Sequence, residues 1–322
     1  MNHMEMLKAI ALLLVGFVFL IKGADFFVDG SSSVAKKLKV PSLIIGLTIV
    51  AMGTSLPELS VSITASMAGS NALAVSNVIG SNIFNLMVVL GASALLAPLV
   101  VGKDVLKKDF PFSVLCAVLL LGLGYVGMEL ARIDGVIFLA IFVAFLVNQV
   151  LTAMKARRAA MNANEAPAEG DIKEISMALS LLFIVGGAVA VKFGGDWVVY
   201  GAKTIAAAFG LSENLIGLTI VALGTSLPEL VTSMVAARKN ELDMAVGNVV
   251  GSNVFNILMI LGVAATVSPI TFIMENVIDI GILIAFSVLV WVLCFRKGRL
   301  GRGEGAIMLL GYAAYLAYII IW

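Results

Sequence analysis

Two glutamates, Glu58 and Glu229, each follow a proline inside a long apolar stretch of the sequence. Residues 46–59 read GLTIVAMGTSLPEL and residues 217–230 read GLTIVALGTSLPEL, so thirteen of fourteen positions are identical at an offset of 171 residues. An ionisable side chain in an apolar stretch that could cross a membrane is costly and usually marks a binding site or an ion pathway. The repeated stretch is therefore the first candidate for chemistry.

The proline in each copy predicts a helix that opens beside the glutamate. Pro57 has no N–H, and its ring crowds the carbonyl of Gly53. The carbonyls from Ala51 to Thr54 are expected to lose their usual partners. Pro57 also suits the first turn of a new helix, whose positive end would lie next to Glu58. The second copy repeats each of these features.

Polar side chains recur every four residues around both acids, so each group shares one helix face. The four groups are Thr54, Glu58 and Ser62; Asn77, Ser81 and Asn85; Thr225, Glu229 and Ser233; and Asn248, Ser252 and Asn256. They offer oxygen ligands alone, which suit alkali and alkaline-earth cations. Two carboxylates match the charge of one divalent ion, and calcium takes about six to eight oxygens.

Blander roles remain open for the same residues. Ser, Thr and Asn in membrane helices often only join neighbouring helices by hydrogen bonds. A single glutamate could also extend toward the membrane interface. Two acids in matching, proline-broken surroundings make that second explanation the weaker one.

The composition is that of a polytopic membrane protein. Of 322 residues, 61% are hydrophobic and 13% are charged, against about 25% charged in a soluble domain. The only histidine is His3, and no lysine flanks either motif, so a zinc site and an enzyme with Ser55 or Ser226 as nucleophile are both disfavoured. We expect a transporter that is not an enzyme, has no cofactor and has no nucleic-acid or obligate protein partner.

The two halves of the chain repeat each other. About ten apolar segments fall into two sets of five, which predicts an all-α fold with about ten transmembrane helices. Because five is odd, the repeats would enter the membrane with opposite orientation, as in many secondary transporters. The expected division is a first repeat at 1–152, a linker at 153–174 and a second repeat at 175–322.

The basic residues predict the orientation. With the N-terminus outside, sixteen Lys and Arg residues fall in inside loops and three in outside ones. Both termini are therefore expected outside the cell membrane and the linker in the cytoplasm. Asp25 and Asp196 lie near Lys22 and Lys192 at helical spacing and toward the ends of their segments, so local ion pairs or helix ends are their expected roles.

The motifs GTSLPE…GSNIFN and GTSLPE…GSNVFN resemble the calcium/cation antiporter superfamily, and within it the sodium/calcium exchanger branch, in the prokaryotic type without regulatory calcium-binding domains. They correspond to that family's two alpha-repeats, here at about 41–98 and 212–268. The resemblance implies exchange of sodium for calcium by alternating access, with spans 1 and 6 sliding across spans 2, 3, 7 and 8.

The resemblance also implies roles for individual residues. Glu58 and Glu229 would be central ligands shared by calcium and sodium, and Thr54 and Thr225 would offer backbone carbonyls to calcium. The flanking sodium sites would be lined by Ala51, Ser55, Ser81, Ala222, Ser226 and Ser252. Asn85 and Asn256 would line the middle of the ion site.

One position departs from part of the family, because some exchangers, including potassium-dependent ones, carry Asp where Asn256 stands. This argues against potassium dependence. A linker of about twenty residues leaves no room for the regulatory insert of animal exchangers. The alternatives are an antiporter coupled to protons or carrying another divalent ion such as magnesium, and, more remotely, a channel.

Overall fold

The computed structural model describes residues 3–67, 71–162, 174–210 and 222–321. Residues 163–173, which are part of the predicted linker, lie outside the described residues. So do residues 211–221, which include the start of the second glutamate motif at 217. Within the described part the chain is built of helices with two short two-stranded ribbons.

The first half contains six helices and two strands. They are α1 at His3–Leu38, α2 at Ser42–Thr54, α3 at Leu56–Met67, α4 at Asn71–Phe84 continuing through Asn85–Val89 to Leu90–Leu96, β1 at Leu99–Val100, α5 at Val105–Asp109 continuing through Phe110–Tyr125, β2 at Glu129–Leu130 and α6 at Arg132–Asn162.

The described part of the second half follows the same order. It contains α7 at Met177–Ala208, α8 at Ala222–Gly224, α9 at Leu227–Arg238, α10 at Leu242–Phe255 continuing through Asn256–Leu261 to Gly262–Val267, β3 at Ile270–Thr271, α11 at Met274–Lys297, β4 at Arg299–Leu300 and α12 at Arg302–Ile321.

Seven of the described helices are long and apolar enough to cross a membrane, and the bent pair α2–α3 brings the number to eight at most. Helix α6 runs about ten residues into the segment expected as linker, as far as Asn162. The residues there are mostly Ala, Met, Lys and Arg, which favour helix in water once the apolar stretch has ended.

Helices α4 and α10 form the centre of the molecule. In the most apolar stretch of each, more than three quarters of the residues are buried, against a third or fewer in the corresponding stretch of α1, α5, α6, α7 and α11. Both contain a wider π-helical turn, and each turn begins at the second asparagine of the GSN-x-x-N motif, Asn85 in α4 and Asn256 in α10. Such turns occur frequently at functional sites.

Helices α1 and α7 form a long antiparallel pair with small residues along its seam. Small residues recur every seventh position and meet in the pairs Ala9–Gly201, Gly16–Gly194, Gly23–Gly187 and Gly30–Ser180. A Cβ atom at any of the six glycines would lie 2.6–3.0 Å from a backbone oxygen of the opposite helix. The backbones therefore touch directly, which is the packing that glycine permits between membrane helices.

The two ribbons join elements from different halves. Strand β1 pairs with β4 through Leu99 and Leu300, and β2 pairs with β3 through Leu130 and Ile270. Strands β1 and β3 occupy corresponding places in the two halves, as do β2 and β4 within one residue. If the two halves are exchanged, the β1–β4 pair therefore takes the place of the β3–β2 pair.

Substitution of Gly187 with Ala should destabilise the protein by about 1–3 kcal/mol, because the new methyl group would overlap backbone atoms of α1. Its neighbour Gly186 is the matched control, since a Cβ there meets nothing within 4 Å. Thermal unfolding in detergent should show a lower Tm for Gly187→Ala and little change for Gly186→Ala. Equal Tm values would contradict the packing of α1 on α7.

Candidate cation site

The first glutamate stands just beyond a bend between two helices. Helices α2 and α3 meet at an angle of 49°, with Ser55 between them at φ −84° and ψ 10°. Pro57 lies in the first turn of α3 and Glu58 follows it, as predicted. The carbonyl of Gly53 has no N–H to accept from Pro57, because proline lacks that group.

The prediction that the carbonyls from Ala51 to Thr54 all lose their partners is wrong at Ala51. The Ala51 carbonyl accepts from the Ser55 N–H at 3.1 Å and from the Thr54 hydroxyl at 3.3 Å. The bend falls after Ser55, so the last turn of α2 still closes. A further bond from the Leu59 N–H to the Ser55 carbonyl, at 3.1 Å, bridges the bend.

The second glutamate has the same local structure. Helix α8 ends at Gly224, and α9 begins at Leu227 with Pro228 in its first turn and Glu229 next. The Leu230 N–H bonds the Ser226 carbonyl at 3.1 Å, which matches the bond across the first bend. Ala222 starts α8, and its side chain lies outside the described part.

Each bend supplies a hydroxyl to the other bend's carboxylate. Both glutamates are fully buried. Ser55 donates to Glu229 Oε1 at 2.8 Å, and Ser226 donates to Glu58 Oε1 at 3.1 Å. The structure thus brings the two sequence motifs together at one place.

The serines of α4 and α10 differ in their contacts. Ser81 lies 3.3 Å from Glu58 Oε1 and 2.9 Å from the Ser226 hydroxyl, so it joins the serine–glutamate cluster. Ser252, its counterpart, is fully buried and has no hydrogen-bond partner in the described part of the chain. The site is therefore nearly but not fully symmetric.

The outermost asparagines join helices, as the blander explanation proposed. Asn77 donates to Ser62 at 3.1 Å, and Asn248 donates to Ser233 at 2.9 Å. Asn248 also accepts from the Thr54 hydroxyl at 3.1 Å. These residues fix α4 and α10 against the helices that carry the glutamates.

Sequence reasoning missed Asn82 and Asn253, which clamp α4 to α10. Each donates from its side chain to the backbone carbonyl of the other at 3.2 Å. Their side-chain oxygens accept from the amides of the site asparagines, Asn253 from Asn85 at 3.2 Å and Asn82 from Asn256 at 3.0 Å. The signal available was their own repeat at the offset of 171 residues.

The clamp orients the two site asparagines. The side-chain amide groups of Asn85 and Asn256 donate to Asn253 and Asn82, so their side-chain oxygens point away from these bonds. Both oxygens are buried without a hydrogen-bond partner among the described residues, and so is Oε2 of both Glu58 and Glu229. Carboxylate and amide oxygens can only accept, so a hydrogen-bond donor or a cation must satisfy them.

The chemistry of these atoms suits a hard cation. The described residues contain no group of three or more His, Cys, Asp or Glu side chains of the kind that binds zinc. The two carboxylates are instead surrounded by neutral oxygens from Ser, Thr and Asn. Oxygen-only ligands favour alkali and alkaline-earth ions.

The two acids of the long helices form the local ion pairs that were predicted. Lys22 lies 3.6 Å from Asp25, and Lys192 pairs with Asp196. Asp25 has an additional partner, Lys239 at the end of α9, at 3.3 Å.

Comparison with known proteins gives a consistent result. Residues 8–151 and 179–321 match the sequence model of the sodium/calcium exchanger protein family. The chain is 36% identical to the inner membrane protein YrbG of Escherichia coli K12 over 98% of this chain and 97% of the relative. It is 32% identical to the sodium/calcium exchanger MaX1 of Methanosarcina acetivorans over 96% and 97%.

A solved structure has the same fold as this chain. The structure of the sodium-calcium exchanger NCX_Mj soaked without Na⁺ and Ca²⁺ superimposes with a TM-score of 0.83 at 32% identity. The match covers 96% of this chain and 98% of that one.

Removal of the clamp should destabilise the centre of the molecule. Asn82→Ala leaves the side-chain amide of Asn256 without its partner and removes one of the donors to the Asn253 carbonyl, and it should cost about 1–3 kcal/mol. Because Asn256→Ala removes the same bond between the side chains of Asn256 and Asn82, the double variant Asn82→Ala with Asn256→Ala should cost about 0.5–3 kcal/mol less than the two single costs together. Unfolding in detergent measures this, with the exposed Asn148→Ala as control. Simple additivity would contradict the clamp.

Proposed function

The chain belongs to the sodium/calcium exchanger family, and on that premise we propose that it exchanges sodium for calcium across the membrane. Its relatives are exchangers and not enzymes, so the chain is a cation antiporter. Glu58 and Glu229 are proposed as the central ligands, shared by the two ions in turn.

One observation carries this proposal. Four acceptor oxygens, from two carboxylates and two amides, are buried without partners among the described residues, and they come from matching positions in the two halves. Each unsatisfied buried polar atom costs free energy, more for a charged group. One divalent cation offsets the charge of both carboxylates and supplies a partner for all four oxygens.

The remaining ligands are proposed from the same neighbourhood. Calcium takes about six to eight oxygens. The proposed calcium shell adds the backbone carbonyls of Thr54 and Thr225 to the two carboxylates. The flanking sodium sites would use Ala51, Ser55 and Ser81 with Ala222, Ser226 and Ser252, while Asn85 and Asn256 line the middle.

Competition for the same carboxylates would couple the two fluxes. Two bare carboxylates facing a closed, dry passage carry a large desolvation cost, whereas a bound divalent cation or sodium ions offset it. The helices that cover the site can therefore move most easily when the site is loaded. This discourages movement of the empty carrier and hence uncoupled leak.

The reciprocal contacts support two inverted repeats of five helices, ten in all. Exchange of the halves turns Ser55–Glu229 into Ser226–Glu58, and the ribbon β1–β4 into β3–β2. We propose a first repeat at 1–152 and a second at 175–322. The bias of basic residues supports external termini and a cytoplasmic segment at 153–174 in the cell membrane.

Helices α1 and α7 are proposed to move across the site. Phe27 of α1 packs on Gly53 at the end of α2, and Gly195 of α7 lies against Pro228 in α9. Both contacts are at the bends that carry the glutamates, and in each contact one of the two partners is a glycine. A shift of α1 and α7 would therefore act directly on both bends.

Proteoliposomes that hold the purified protein should take up calcium when a sodium gradient is applied. The double variant Glu58→Gln with Glu229→Gln should lower this uptake at least about tenfold, a loss of ~1.4 kcal/mol or more. Glu129→Gln with Glu275→Gln removes two exposed acids and serves as control, with uptake unchanged. Uptake driven by a pH gradient and indifferent to sodium would overturn the proposal in favour of a proton-coupled antiporter.

A further inference from the structure

A cavity of about 310 Å³ lies between α7 and the two bends. Its inner wall contains Pro57, Thr225 and Pro228, and its outer wall contains Lys192, Gly195 and Asp196. At about 30 Å³ for each water molecule, it has room for roughly ten, which is enough for a cation with part of its hydration shell.

The inner wall of the cavity is made by sequence neighbours of the proposed cation site, since Pro57 precedes Glu58 and Pro228 precedes Glu229. Thr225 directly precedes Ser226, whose hydroxyl bonds Glu58. The Thr225 hydroxyl oxygen is buried without a hydrogen-bond partner in the described part of the chain. An oxygen that can accept a cation is therefore available where the cavity meets the bend.

The outer end of the cavity carries a half-exposed ion pair. The Lys192 and Asp196 side chains are 39% and 47% exposed and contact each other four residues apart on α7. A lysine that precedes an acid by four positions is the less favourable order on a helix. The Lys192 ammonium also lies 5.0 Å from the ring centroid of Phe193, and this cation–π contact stabilises its charge beside the ion pair. Asp196 can therefore exchange this partner readily.

The corresponding acid in the other half is held quite differently. Lys239 of α9 lies 3.3 Å from Asp25 and 2.7 Å from Asp29, and it donates to the Asp25 carbonyl at 3.0 Å. The Lys239 side chain is only 23% exposed. Asp25 is thus tied across to another helix, whereas in the described part of the chain Asp196 pairs with a neighbour on its own helix and faces a cavity.

We propose that Asp196 is an outer capture site for the transported cation, with Lys192 as its exchangeable counter-ion. A calcium ion that arrives from the side on which α7 ends displaces Lys192, is held at Asp196 and then passes the Thr225 oxygen to Glu58 and Glu229. A carboxylate at the mouth of a narrow passage raises the local concentration of cations, and a lysine beside it lowers that effect. This inference rests on the proposed exchange function.

The two side chains should change transport in opposite directions and on one face only. Asp196→Asn should raise the calcium concentration for half-maximal exchange about three- to tenfold at the face that opens to the cavity, with the maximal rate and the opposite face unchanged. Lys192→Gln should lower that concentration about twofold at the same face, because one repelling charge is gone.

Calcium flux in proteoliposomes of known orientation, titrated from each face in turn, measures these values. Glu275→Gln, which removes an exposed acid away from the cavity, is the control for general surface charge and should change neither face. Equal shifts for Asp196→Asn and Glu275→Gln, or the same shift on both faces, would overturn the capture site while the exchange function stands. A wild-type protein without sodium-driven calcium flux would overturn both.

Discussion

The burial of two carboxylates at one place inside a membrane protein is the constraint on which the rest of the structure depends. Glu58 and Glu229 are both fully buried, and in the described part of the chain they receive hydroxyl hydrogen bonds from the opposite bend, with Ser81 of α4 as a further partner of Glu58. Two proline-opened helices bring the acids in, and the hydroxyls of Ser55 and Ser226 cross from one bend to the other. The asparagine clamp between α4 and α10 engages the amides of Asn85 and Asn256 and leaves their two side-chain oxygens buried without a hydrogen-bond partner among the described residues. Each of these features lowers the cost of the carboxylates or completes a set of oxygens for a cation.

The same reciprocity explains why the two halves cannot act alone. Neither bend supplies the hydroxyl that bonds its own glutamate, and neither central asparagine orients itself without the asparagine of the other half. The proposed cation site therefore forms only where both halves meet. Around it the halves differ: one long-helix acid is tied down by Lys239, and the other faces a cavity. A nearly symmetric site with unequal surroundings is the arrangement expected of the proposed carrier, whose site would be open to one side of a membrane at a time.

The sequence predicted the features that have a local cause. A proline within a helical stretch removes one backbone hydrogen bond from the turn before it, a repeat at fixed offset is visible without coordinates, and four-residue spacing puts Asn77, Ser81 and Asn85 on one face. The fate of the Ala51 carbonyl and the roles of Asn82 and Asn253 depend on where the bend falls and on which face of α4 meets α10, so they could not be derived from spacing alone. The π-helical turns at Asn85 and Asn256 depend on the same packing. The membrane class was clear from composition, whereas within the described residues seven or eight helices qualify as spans, against about ten predicted from the sequence.

The most direct test of the shared site is the stoichiometry of calcium binding to the purified protein in detergent, measured by titration calorimetry without sodium. If both glutamates complete one site, the wild type binds one equivalent at that site, and either Glu58→Gln or Glu229→Gln alone abolishes its binding, because a single carboxylate cannot offset the charge of a divalent ion. Retention of one equivalent at unchanged affinity in either single variant would contradict the shared site, as would two equivalents in the wild type that fall to one in each variant.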